Sequence, residues 1–160
     1  MYARDTARIA TPVGMVAIFG DESVVTAIDL GVDGGEIAGS DQPVRAAADQ
    51  MRAWFAGALT EFNLLLAPAV TPRGQVLRDA MVAIPYGETL SYGALARLAG
   101  SSPRAIGQAC ARNSFPIIVP CHRVVNAAGS LGAYSAGEGP VTKRWLLAFE
   151  QRAGGRGLLL

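Results

Sequence analysis

An α/β N-terminal module, a small antiparallel sheet plus helix, followed by a mostly α C-terminal domain containing a helix-turn-helix, is the fold class this sequence predicts. Three observations carry it. Two apolar runs flank a Gly-Asp-Glu-Ser turn before residue 31, a helical apolar period covers residues 43–57, and the second half is punctuated by helix caps and glycines. Of 160 residues, 51% are hydrophobic and 17% charged, which favours a folded core over disorder.

The elements follow in order. "ARIATPVGMVAIFGDESVVTAIDLG", residues 7–31, reads as a β-hairpin with Gly20-Asp21-Glu22-Ser23 at its turn. Val44, Ala47, Met51, Trp54 and Phe55 recur at helical spacing after the Asp41–Pro43 start signal. "EFNLLLAPAVTP" reads as one more strand and then a Pro-punctuated link, which puts the boundary near residues 67–72 and the domains at 1–70 and 71–160. Leu77, Ala80, Met81 and Ile84 define a short amphipathic helix that stops at Pro85-Tyr86-Gly87. Ser91 caps a helix to about Ala99, Gly100 ends it, Ser102 caps the next, and Pro103 takes its favoured first position. These two helices make the helix-turn-helix candidate, whose second member carries Arg104, Gln108 and Arg112, side chains suited to phosphates and base edges. "VTKRWLLAFEQR" is the last helix, with Val141, Trp145, Ala148 and Phe149 on one face.

Charge is uneven. Residues 1–66 hold 4 basic and 9 acidic side chains and residues 67–160 hold 10 and 4, so a net +1 hides halves of −5 and +6. Residues 89–137 contain no acid, while Arg97, Arg104, Arg112 and Arg123 all fall there; that stretch suits a polyanion, and Arg123 is assigned to it with the others. No apolar run approaches the ~18 residues of a membrane span, and Arg4, Asp5 and Arg8 break any signal-peptide core. A cytoplasmic, monomeric protein without membrane contact is expected. Cys110 and Cys121 lack CxxC spacing, so no metal site is expected, and a disulfide between them is allowed but not required.

"IIVPCHRVVN", residues 117–126, sets Cys121 beside the chain's only histidine. A thiol becomes a strong nucleophile where a base or a positive field favours thiolate. Neighbouring side chains in a strand point to opposite faces, so a direct Cys121–His122 bond would need a turn or a bridging water, and Pro120 supports an irregular backbone there. Glu150 is the candidate carboxylate to orient the imidazole. Each residue alone also reads as ordinary packing or a solvated carboxylate; the combination raises the chemical reading.

"IPYGETLSYGALARLAG", "RAIGQACARN", "IIVPCHRVVN" and "KRWLLAFE", in that order and with those separations, resemble the O6-alkylguanine-DNA alkyltransferase (methylated-DNA–protein-cysteine methyltransferase) family. "TPVGMVAIFGD" and "WFAGALTEFNLLL" resemble it more loosely. The resemblance implies a single-turnover repair protein acting on double-stranded DNA that carries O6-alkylguanine, with no cofactor. It implies Cys121 as alkyl acceptor, His122 as base through a water, Glu150 holding the imidazole and Asn113 bracing the active-site turn. Tyr134 and Ser135 match the family's pocket loop, Arg104 its intercalating arginine, and Tyr92 the tyrosine that approaches the guanine edge. Cys110 stands where relatives often carry an apolar pocket residue, and Val124 is placed in the same pocket. Arg73 and Arg78 stand where relatives typically carry Phe and Trp, and would snorkel to solvent or mark a weaker contact between domains.

Other readings stay open on residue types alone. Cys121, His122 and Asn113 are also the set of a cysteine hydrolase. A non-enzymatic binder of alkylguanine DNA would use the same pocket, but Cys121 argues against it. A helix-turn-helix regulator would want a second recognition unit or dimerisation heptads, which the sequence does not offer.

Overall fold

The computed structural model describes residues 4–153 and divides the chain between Ala67 and Pro68 into two units. In the first, β1 (Asp5–Thr11), β2 (Gly14–Gly20) and β3 (Val25–Leu30) form an antiparallel meander in the order β1-β2-β3. The expected hairpin is its second half. Thr11-Pro12-Val13-Gly14 makes a further turn, and pairs Ile9 with Val16 and Ala7 with Ile18. At the predicted turn the Asp21 carboxylate accepts from the Ser23 and Val24 amides at 2.7 and 2.9 Å, closing an Asx-type turn.

One face of this sheet buries Ile9, Val16, Ile18, Val25 and Ile28 within the unit whose helix α1 (Gln42–Phe55) buries Val44, Ala47, Met51 and Trp54. Full burial of each large apolar side chain contributes about 1.5–3 kcal/mol. The strand expected in "EFNLLLAPAVTP" does not form. It is reduced to a bridge, in which the Val25 amide donates to Leu65 and Val25 accepts from the Ala67 amide, and the next amide on that edge, Ala69, donates to Gln75 Oε1 at 3.0 Å instead.

The second unit holds α2 (Pro72–Val82), β4 (Leu90–Ser91), α3 (Tyr92–Ala99), α4 (Pro103–Ala111), a 3₁₀ turn (Cys121–Arg123), β5 (Val124–Val125) and α5 (Pro140–Ala153). The caps are those the sequence announces. Ser91 Oγ accepts from the Ala94 amide at 3.0 Å, Ser102 Oγ accepts from Ala105 at 3.1 Å, and Gly100 ends α3 in the left-handed conformation at φ 64°. A three-residue turn therefore joins α3 to α4, with Leu95, Ala96 and Ile106 buried. Arg73, on α2, donates to the Gly100 carbonyl at 2.7 Å, and Arg78 lies 5.0 Å over the Phe115 ring. Both arginines thus serve packing within this unit.

The two-residue strands were not anticipated. β4 and β5 pair in parallel, Leu90 with Val124 and Ser91 with Val125, and so tie the start of α3 to the segment just after Cys121. The buried face of α5 also differs from expectation. Val141 is 61% exposed, and the helix buries Thr142, Lys143, Leu146 and Glu150 instead. An apolar-only reading misses such a stripe because charged groups go inside only when other segments supply partners. Among the described residues no helix is long and apolar enough to cross a membrane.

Candidate active site

The loop from Asn113 to Cys121 sets the thiol in place. Asn113 Oδ1 accepts from the Phe115 amide at 2.9 Å while its Nδ2 donates to the Val119 carbonyl at 2.9 Å, so one amide side chain clamps both ends of the loop. The same Nδ2 lies 3.1 Å from Cys121 Sγ. Pro120, at φ −82° and ψ 62°, makes an inverse γ-turn, closed by the Cys121 amide donating to Val119 at 2.8 Å. Ile117 is held at φ 75°, a sterically costly place for a β-branched residue and a local strain of the kind that active sites retain.

Cys121, His122 and Arg123 then form a single 3₁₀ turn, in which successive side chains point about 120° apart. That geometry separates the cysteine from the histidine. Cys121 lines a pocket of roughly 390 Å³ together with Tyr92, Cys110, Asn126, Tyr134 and Ser135. His122 turns to α5, where its Nε2 lies 2.8 Å from Glu150 Oε2, and both side chains are fully buried. Against an ionised carboxylate Nε2 carries the proton, which leaves Nδ1 as the basic nitrogen of the neutral ring.

Glu150 is the hub. Besides the imidazole it accepts Arg123 Nε at 2.9 Å, Arg123 Nη2 at 2.8 Å and the Gly87 amide at 3.2 Å. Burial alone would raise its carboxyl pKa, but the bonds from His122 and Arg123 outweigh it and hold the group near 2. Burial pushes His122 below the ordinary imidazole value, so the ring is neutral at pH 7 despite the pull of Glu150.

Arg123 corrects the sequence reading. It is 6% exposed, bidentate to Glu150, and donates through Nη1 to the Ile84 carbonyl at 2.7 Å, so it is an internal clamp and offers nothing to DNA. Val124 is also corrected: it is fully buried in β5 and is not among the pocket-lining residues. Arg104, Gln108 and Arg112 are exposed along α4 and its end, while Gly107, Cys110 and Ala111 of the same helix line the pocket. A basic stripe therefore runs beside the pocket wall on one helix.

Cys121 is 5% exposed, yet its thiol is drawn down to about 7 from an ordinary value of 9.0. The Cys110 thiol facing it contributes most, burial opposes, and the Asn113 amide and the Lys143 charge add to the lowering. Sequence reasoning missed Lys143. Its Nζ donates to the Val124 carbonyl at 2.7 Å and the Ala133 carbonyl at 3.2 Å, and lies 5.9 Å from the Tyr92 ring centre. One buried ammonium thus ties β5 to the pocket loop and supplies positive field near the thiol. Its signal was present only as the lysine that opens "KRWLLAFE", the single lysine of the sequence.

The pocket loop after Ser130 comes close to α3. Gly132, at φ 76°, approaches Tyr92 so tightly that a Cβ there would sit 3.0 Å from the tyrosine hydroxyl. Tyr134 follows, with a buried hydroxyl that has no hydrogen-bond partner among the described residues. Such a donor inside a pocket wall suits a ligand with a polar edge. Among the described residues no three His, Cys, Asp or Glu side chains are placed to hold a metal ion. The arrangement thus offers an activated thiol, a carboxylate-held imidazole and an apolar pocket with polar groups on its rim.

The chain is similar to known proteins over most of its length. Residues 73–152 match the family described as "6-O-methylguanine DNA methyltransferase, DNA binding domain". A methylated-DNA–protein-cysteine methyltransferase of Methanosarcina acetivorans is 38% identical over 135 residues, covering 79% of this chain and 86% of that one. A constitutive enzyme of the same description from Bacillus subtilis is 36% identical over 152 residues, covering 88% and 92%. The crystal structure of Mycobacterium tuberculosis OGT in complex with DNA superposes with a TM-score of 0.79 at 37% identity, covering 92% of this chain and 93% of that one. With the fold, the length and the cysteine-centred half all shared, this chain belongs to the 6-O-methylguanine DNA methyltransferase family.

Proposed function

We propose that this protein repairs O6-alkylguanine in double-stranded DNA by moving the alkyl group irreversibly to Cys121. The observation that carries the reading is the Cys121 thiol, lowered to about 7 and lining a pocket whose wall is the helix that also displays Arg104, Gln108 and Arg112. An alkyl group on guanine O6 is out of reach inside a stacked duplex, so the nucleotide must be flipped out, at a cost of a few kcal/mol that weakened pairing reduces. In this reading α3 and α4 act as a helix-turn-helix, α4 lies against the DNA, and Arg104 fills the vacated stack. Tyr92 meets the base edge, and Tyr134 and Ser135 form the far wall.

The chemistry needs only this chain's groups. His122 Nδ1 takes the thiol proton through a water, with Glu150 and Arg123 fixing the ring. Sγ then attacks the alkyl carbon. The S–C bond forms, the C–O6 bond breaks, and its electron pair stays on the purine, which takes up a proton and becomes guanine. The thioether left on Cys121 has no good leaving group, so each molecule acts once. Lys143 and Asn113 hold the anion before attack, and the reaction calls for no cofactor.

The test is the Cys121→Ser variant with a duplex carrying labelled O6-methylguanine. Transfer is expected to vanish while the dissociation constant for that duplex stays within about threefold of wild type. Label retained by the variant, or binding lost together with transfer, would oppose the assignment. A cysteine hydrolase is separated by turnover, since it would release product repeatedly from one thiol.

A further inference from the structure

Gly107 sits at the middle of α4, and nothing in the fold calls for a glycine there. It is not among the glycines held at positive φ. A Cβ added to it would meet no atom within 4 Å among the described residues, beyond the backbone of its own helix. Glycine inside a helix is destabilising relative to alanine, so one that neither backbone nor packing requires points to something outside the fold that comes close. Its open side is the pocket, which Gly107 lines together with Cys121. We propose that Gly107 is a specificity-determining residue: the space it leaves lets the pocket take O6 substituents as large as benzyl. The inference deepens the alkyl-transfer reading and rests on Cys121 as the acceptor.

α4 turns Gly107, Cys110 and Ala111 to the pocket, at the i, i+3, i+4 spacing of one helix face. The pocket loop adds Ala133 and Ser135, so much of the lining is made of small residues. The volume, roughly 390 Å³, falls in the range of about 300–1,000 Å³ that takes drug-sized ligands. A base that carries only a methyl group leaves part of such a pocket unfilled, and a planar aromatic substituent fills it with apolar contact. The buried Tyr134 hydroxyl, with no hydrogen-bond partner among the described residues, is left for the polar edge of the base. A side chain at position 107 would stand in the spare room, and because packed sites resist overfilling it would exclude the larger substituent before the smaller. The chemistry is the same for both. Sγ attacks the carbon bonded to O6, the S–C bond forms, the C–O6 bond breaks, and its electron pair stays on the purine, which takes up a proton. Close approach of DNA to α4 would also favour a glycine, and the experiment separates the two.

The experiment measures the rate of transfer to the whole chain from two duplexes that differ only in carrying O6-methylguanine or O6-benzylguanine, read on the Cys121 peptide by mass spectrometry. Gly107→Ala and Gly107→Val are compared with wild type. Gly93→Ala, on α3 and outside the pocket lining, controls for stiffening a helix. Wild type is expected to accept both groups. The benzyl-to-methyl rate ratio is expected to fall at least about tenfold in Gly107→Ala and further in Gly107→Val, since a methylene-sized misfit in an apolar pocket is worth about 10–200-fold. Gly93→Ala is expected to keep the wild-type ratio. Gly107→Ala should also melt no lower than wild type, because alanine is the better helix former. Three results would overturn the proposal: a ratio unchanged in the Gly107 variants, equal slowing on both duplexes as close approach of DNA alone would give, or a wild type that takes methyl but not benzyl. Cys121 alkylation by iodoacetamide and by its N-benzyl analogue, which needs no DNA, is run alongside and is expected to show the same selective loss of the larger reagent. That loss without transfer from either duplex to wild type would refute the repair reading and leave Gly107 as the size limit of the pocket.

Discussion

Replacing Glu150 with glutamine removes the one charge that holds His122, Arg123 and the Gly87 amide together. The group is fully buried, and its carboxyl titrates near 2 instead of 4.5, which corresponds to about 3 kcal/mol of stability at neutral pH. Its folded pKa lies below the unfolded one, so this stability is complete above pH 4.5 and drains away as pH falls towards 2. At about pH 3 some 2 kcal/mol of it is already gone. Losing one partner of a buried ion pair costs about 3–5 kcal/mol, because the Arg123 guanidinium stays inside without a counter-charge. That is a large share of the roughly 5–15 kcal/mol that holds a domain folded. Urea unfolding followed by circular dichroism measures it, with hydrogen exchange of α5 showing which transition belongs to the second unit. At neutral pH the variant should be about 3 kcal/mol or more less stable than wild type, and the gap should narrow by about 2 kcal/mol near pH 3. A gap under 1 kcal/mol, or one of equal size at both pH values, would show that Glu150 is not the hub described.

Asn113→Ala removes two backbone clamps and a donor to Cys121, so stability should fall by about 2 kcal/mol in thermal unfolding, and the iodoacetamide midpoint of Cys121 should rise. Arg104→Ala, at an exposed site, should leave unfolding unchanged and slow repair of duplex DNA far more than reaction with free O6-benzylguanine; equal losses on both substrates would remove Arg104 from base flipping. Arg112→Ala, at the exposed end of α4 and suited to a phosphate, should reduce the salt dependence of duplex binding by about one counterion in a titration against salt.

What could be seen in the sequence was mostly local. Ser91, Gly100, Ser102 and Pro103 mark the ends of α3 and α4 because caps act within a turn of the chain, and the structure has both helices where these residues put them. Glu150 is a candidate partner for His122 because the last helix can return its carboxylate to the core, whereas the bracing role of Asn113 comes from the family resemblance; the geometry is compatible with both. The errors have one cause. Arg123 was read with its neighbours as a surface cation, since nothing in a charge run reveals that a carboxylate 27 residues later will bury it. α5 was given the wrong inner face for the same reason: Lys143 and Glu150 are buried because Val124, Ala133, His122 and Arg123 meet them there. The segment before Pro68 has strand-forming residues, but pairing is decided by the neighbour available, and among the described residues Val25 alone pairs with it.

The central claim is that one thiol, Cys121, accepts one alkyl group from DNA and keeps it. Intact-protein mass spectrometry after mixing with excess O6-methylguanine duplex, followed by peptide mapping, tests it most directly. The account predicts a gain of one methyl per chain, located on Cys121, with no further reaction on adding fresh duplex. Continued product formation by an unmodified chain, or the methyl on Cys110, would contradict it.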